Sequence, residues 1–99
     1  MAVYQIVVME EAKVDLSHYT AFERKIMTAA MRTHLTDSPS VETRNRKRLR
    51  DNPVASWELR SGHYRLFYEV DETACQVTIV AVGHKDHDML FIRGREVQL

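Results

Sequence analysis

Ninety-nine residues, 44% hydrophobic and 28% charged with few glycines and prolines, specify one folded domain, residues 1–99, around a single thin core. The balance excludes a disordered or collagen-like chain. The longest early apolar run, Ile6-Val7-Val8-Met9, is too short for a signal-peptide core or a membrane span. The formal net charge is zero, which argues against a protein that merely coats nucleic acid, yet Arg44, Arg46, Lys47, Arg48 and Arg50 crowd into one short stretch. Local clusters, rather than totals, make phosphate-binding surfaces.

Residues 2–9 are rich in β-branched side chains and predict a strand. The acidic stretch 10–17 tolerates a short helix or turn. Thr20 and Glu23 have the spacing of a capping box, in which the hydroxyl takes the N3 amide and the carboxylate returns to the Thr20 amide. The helix that follows carries Phe22, Ile26, Ala29, Ala30 and Thr33 on one stripe, the expected core face, and Asp37-Ser38-Pro39-Ser40 stops it. Residues 40–55 have no clear period and place the basic cluster on a loop or at the start of a meander.

Beyond Asp51-Asn52-Pro53, Trp57 and Leu59 alternate with Glu58 and Arg60, and Ser61-Gly62 turns the chain. Tyr64, Leu66, Tyr68 and Val70 then share one face, with Arg65, Phe67 and Glu69 on the other. Asp71-Glu72-Thr73 makes a second turn. Gln76 to Val82, apolar on both faces, reads as a central strand covered on both sides. Cys75, the one cysteine, excludes a disulfide framework and reads as a buried thiol in a strand of a cytoplasmic protein. Met89 to Ile92 predicts a last short strand, and Arg93-Gly94 a turn before a brief tail. The sum is an α+β architecture: helices packed on one face of a small antiparallel sheet, the first strand joining by a long connection.

The runs Trp57-Glu58-Leu59-Arg60-Ser61-Gly62-His63-Tyr64-Arg65-Leu66-Phe67-Tyr68-Glu69-Val70 and Ile79-Val80-Ala81-Val82-Gly83-His84-Lys85 resemble the RelE/ParE toxin superfamily. Its hallmark is a Leu-Arg strand, a short turn, a Tyr-Arg-Leu/Val-x-Tyr strand, and a strand ending in Val-Gly and basic residues. The Arg-Asn-Arg-Lys-x-Leu-Arg stretch at residues 44–50 resembles the RelE-like branch. The resemblance covers roughly residues 44–92 and implies a compact microbial RNase-like fold. It also implies a type II toxin silenced by a cognate antitoxin. In the RelE branch such a toxin cleaves messenger RNA on the ribosome and inhibits translation; in the ParE branch the same fold inhibits DNA gyrase without nuclease activity. A degenerate module retaining only antitoxin binding is a third reading.

Metal-free RNA cleavage needs a base for the ribose 2′-OH, a cation for the pentavalent phosphate and an acid for the leaving oxygen. Arginine and lysine suit the phosphate; histidine suits the proton transfers. The resemblance therefore points to Arg65, Lys85 and His84 as catalytic candidates, Arg65 projecting from the face opposite Tyr64. His63, at the hairpin, reads as an ordinary surface residue. Arg44, Arg46, Lys47, Arg48, Arg50 and Arg60 are expected to contact RNA backbone or antitoxin acids, and Phe91 to stack on a base. The chain departs from RelE-type enzymes at Ser56 and Glu58, where lysines are expected, and at Phe91, near which a tyrosine is expected. His84, Asp86, His87 and Asp88 lack a well-spaced further ligand, so no metal and no small-molecule cofactor is expected.

Overall fold

The computed structural model describes residues 2–99. Its order is β1 (Gln5–Val8), α1 (Glu10–Ser17), α2 (Ala21–Leu35), β2 (Arg46–Arg48), β3 (Trp57–Ser61), β4 (Tyr64–Asp71), β5 (Gln76–Asp86), β6 (Met89–Ile92) and β7 (Arg95–Val97). The strands form one seven-stranded sheet in the order β2-β3-β4-β5-β6-β7, antiparallel throughout except for β1, which lies parallel to the first part of β5. The α+β expectation is met.

The two faces of the sheet are covered differently. Tyr64, Leu66 and Tyr68 of β4 join Trp57 and Leu59 of β3 and Val77, Ile79 and Val82 of β5 under the helices. Phe67, Ala81 and Leu90 face the other way, beneath Leu49, Val54 and Ala55 of the β2–β3 connection and Val97 of β7. Each fully buried large side chain, such as Leu35, Leu59 or Ile79, contributes about 1.5–3 kcal/mol relative to exposure. Ile79 and Val82 share the helix side despite their odd spacing because the β4–β5 register shifts after Phe67, leaving Val80 as an extra residue.

Between the part of β5 paired with β1, Gln76–Ile79, and the part paired with β6, His84–Asp86, this edge of the strand has no ladder partner among the described residues. Asp15 of α1, fully buried, closes the gap. One carboxylate oxygen accepts the Val82 N–H at 2.9 Å and the other accepts Arg93 Nε.

The structure corrects several expectations. The Thr20–Glu23 capping box forms, but α2 buries Met27, Ala30, Met31 and Leu35. Of the expected core stripe only Ala30 is buried; Phe22, Ile26, Ala29 and Thr33 are exposed. α2 carries two stripes of helical period, and the one with Met27, Met31 and Leu35 fills the larger volume beneath it. Cys75 is not in a strand: it is half-buried in the β4–β5 turn with φ +51°, and its thiol is not part of the core. The basic stretch contributes a short edge strand, β2, where its charges discourage pairing with another chain. The expected tail is β7, paired with β6.

Candidate functional site

The hairpin end of the sheet gathers the titratable side chains. Ser61 pairs with Tyr64 across a two-residue loop in which Gly62 takes φ +59°, a conformation that favours glycine. Tyr64 pairs with His84 and Arg65 with Gly83, which brings the starts of the Tyr-Arg and His-Lys pairs level. Strand alternation then sends Tyr64 and His84 to the helix side and Arg65 and Lys85 to the open side. The three catalytic candidates therefore do not share one face; they meet only around the hairpin end.

On the helix side lies a cluster of rings. Tyr19, at the α1–α2 junction, places its hydroxyl 2.7 Å from Nδ1 of His84, with the two rings edge to face at 5.7 Å. Phe91 of β6 stacks on the other side of His84 at 5.7 Å, and the His63 ring lies 6.3 Å away. Phe91 is thus a wall of the His84 site, already occupied by an imidazole. Tyr64 donates to Glu23 Oε2 at 2.8 Å, while the other Glu23 oxygen receives the Thr20 amide of the capping box. The Thr20 amide, then the Tyr64 hydroxyl, hold Glu23 below the usual carboxylate range. Burial, then Asp15 and Glu23, pushes the Tyr19 phenol up to about 12, so at neutral pH it is a neutral hydrogen-bonding group. Held at Nδ1 by that phenol, His84 keeps Nε2 for other partners; no described residue bonds it.

The open side is cationic but partly self-neutralised. Glu58, buried, accepts Arg60 Nε at 2.7 Å. Arg65 turns back along its own hairpin and donates to the carbonyls of Gly62 at 2.8 Å and Tyr64 at 2.9 Å, while its Nε is buried without a partner among the described residues. Burial lowers its guanidinium pKa from the usual arginine value, against the pull of Glu58, yet leaves it a cation. Lys85 is half-buried beside Arg60 and Leu90, and its backbone N–H extends the hairpin by donating to the His63 carbonyl at 2.7 Å.

The five-residue basic cluster does not act as one surface. Arg46 reaches back to the carbonyls of Val41 and His34 and ties β2 to the end of α2. Arg48 lies 5.6 Å above the Trp57 ring. Lys47 shares the open face with Glu58, and Arg44 and Arg50 are exposed in the flanking loops. Arg46, serving the fold, leaves the expected RNA-contacting set. Asp86 and His87 pair with each other at 2.9 Å beyond the end of the cluster, and no three metal-ligating side chains come together among the described residues.

Tyr19 and Glu23 are absent from the residues that the sequence singles out for the site. Tyr19 precedes the capping box, and nothing in the linear pattern connects it with a histidine in a distant strand.

Two helices on one face of this sheet, with a basic hairpin end, define a toxin of the RelE/ParE superfamily. A family model described as the ParE toxin of the type II toxin–antitoxin system, parDE, matches residues 6–89, and the chain belongs to that family. Among solved structures, it is similar to a chain of the toxin–antitoxin complex RelBE2 from Mycobacterium tuberculosis, with 26% identity and a TM-score of 0.75. That likeness covers 86% of this chain and 94% of the other. No curated protein matches significantly. No helix among the described residues is long and apolar enough to cross a membrane.

Proposed function

We propose that this type II toxin is held by a cognate antitoxin and, when released, cleaves messenger RNA on the ribosome without a metal or other cofactor. The observation that carries the reading is the 2.7 Å contact between Tyr19 and Nδ1 of His84, which presents the far ring nitrogen from a fixed imidazole at the hairpin end. His63, 6.3 Å from it, supplies a second proton-transfer group. One imidazole, neutral, takes the 2′-OH proton as the 2′-oxygen attacks phosphorus. The other, protonated, gives its proton to the 5′-oxygen as the P–O5′ bond breaks, leaving a 2′,3′-cyclic phosphate.

Arg65, whose buried Nε has no acceptor among the described residues, approaches the phosphate around the hairpin tip. Lys85, Arg44, Lys47, Arg48, Arg50 and the free guanidinium edge of Arg60 contact RNA phosphates away from the reacting bond. Gyrase inhibition is the second reading. Glu58 favours it by neutralising Arg60 on the face where phosphate is expected, as does the ParE family model.

Induced expression in growing bacteria, followed by primer extension on abundant messengers, tests the choice. Codon-spaced cuts that require translation and vanish in His84→Ala and Arg65→Ala are expected. Growth arrest without cuts moves the activity to gyrase, and no arrest at all leaves only an antitoxin-binding module.

A further inference from the structure

The open side of the sheet holds a cavity of about 290 Å³ bounded by β3, the end of β5 and the β6–β7 hairpin. Leu49, Leu90 and Val97 give it apolar walls, and Arg60 and Lys85 line it toward the hairpin end of the sheet. Glu58, only 2% exposed, lines it from β3. One of its carboxylate oxygens accepts Arg60 Nε at 2.7 Å, and no described residue bonds the other. A buried anionic oxygen short of donors is costly in the free protein, and a ligand N–H would satisfy it.

The charges select that ligand. Two cations, Arg60 and Lys85, stand against three acids, Glu58 and the exposed Asp88 and Glu96, so the cavity suits a neutral group better than a phosphate. Arg60 and Lys85 carry more donors than one such group uses, and the remainder stay free for backbone phosphates outside. Phe91, expected to stack on a base, is occupied by His84, which leaves base recognition to another part of the surface. Among the four RNA bases, guanine alone presents two adjacent donors, N1–H and N2–H, on its Watson–Crick edge. Adenine, cytosine and uracil set an acceptor lone pair beside their donor, and a carboxylate repels it. The guanine O6, next to N1, in turn suits a cation.

We propose that this cavity binds a guanine base of the RNA, with Glu58 accepting N1–H and N2–H and Lys85 donating to O6. The free Glu58 oxygen takes N1–H, and the remaining lone pair of the oxygen bonded to Arg60 takes N2–H. Leu49, Leu90 and Val97 enclose the ring faces. The assignment rests on the reading of this chain as a ribonuclease and gives that reading a sequence preference, cuts beside guanine. Glu58, which departs from the lysine expected at its position, is then a specificity-determining residue rather than a lost phosphate contact.

The test titrates the full chain with the 5′-monophosphates of guanosine, inosine, adenosine, cytidine and uridine, followed by amide chemical shifts in NMR. The guanosine nucleotide should bind about tenfold more tightly than the adenosine, cytidine and uridine nucleotides, as expected for one good bidentate base contact, and should move the Leu90 and Val97 resonances. The inosine nucleotide, which keeps N1–H and O6 but lacks the N2 amino group, should fall between them; this comparison needs no variant. Glu58→Gln, checked for folding by its urea midpoint, should bring all five within about twofold of one another. Equal binding of the five nucleotides to wild type, a guanosine preference that survives in a folded Glu58→Gln, or shifts confined to residues away from the cavity overturns the proposal. Cleavage is read separately by primer extension. If no messenger is cut, the ribonuclease reading falls whatever the nucleotides do. If messengers are cut without enrichment of guanine beside the cuts, or with the same enrichment in Glu58→Gln, the guanine cavity alone falls.

Discussion

Replacing Asp15 by Ala removes the group that closes the edge of β5 between β1 and β6. Asp15 lies in the last turn of α1, where the helix dipole disfavours an anion, so its contacts must account for it. The charge-assisted bond from Val82 N–H, left unmade in a buried place, costs about 1.5–3 kcal/mol. The ion pair with Arg93 adds at most about 1 kcal/mol, because that guanidinium is 43% exposed and solvent screens it. The expected loss is thus roughly 2–4 kcal/mol, a large share of the ~5–15 kcal/mol available to a small domain. At about 4–8 °C per kcal/mol for a chain of this size, Tm falls by roughly 10–25 °C.

Urea unfolding followed by fluorescence of the buried Trp57 measures the loss directly. Asp15→Asn, which keeps an oxygen for Val82, should cost less. Lys13→Ala, at an exposed pair with Glu10, should stay within about 0.5 kcal/mol. An Asp15→Ala midpoint indistinguishable from that of Lys13→Ala would refute the account of the strand edge.

Other perturbations probe the His84 end. A Cβ added at Gly83 would stand 2.3 Å from the Phe91 carbonyl oxygen, a backbone atom with little room to yield. Gly83→Ala should therefore destabilise by about 1–3 kcal/mol or more and splay β6 from β5, read as a fall in the urea midpoint with loss of activity. Tyr19→Phe keeps the ring packing but removes the hydroxyl at His84; RNA cleavage should drop about fivefold, the worth of one neutral hydrogen bond, against about 100-fold or more for His84→Ala. Because the Tyr19 pKa is raised from 10 to about 12, its contribution to stability is intact below pH 10 and is lost as pH rises toward 12. Alkaline unfolding curves should be shallower in that range for Tyr19→Phe than for wild type.

Local chemistry determined much of this protein. The alternation from Tyr64 to Val70 separates the two faces of β4, because successive strand side chains must oppose each other, and Thr20 with Glu23 starts α2 because an orphan amide needs an acceptor. Gly62 turns the hairpin, and the hallmark Tyr-Arg and Val-Gly-His-Lys segments pointed to the superfamily.

Tertiary structure decided what depends on distant partners. α2 offers two stripes of the same period, and only docking on β3 to β5 selects the one with Met27, Met31 and Leu35, leaving Phe22 and Ile26 outside. The Asp15 closure arises because β1 and β6 each cover only part of β5, and the Val80 bulge because the β4–β5 register shifts after Phe67. Arg46 becomes a tether because the end of α2 comes to rest beside it. Tyr19 reaches His84 only after a helix junction and a strand end, distant in the chain, are packed together, a contact that no local period encodes.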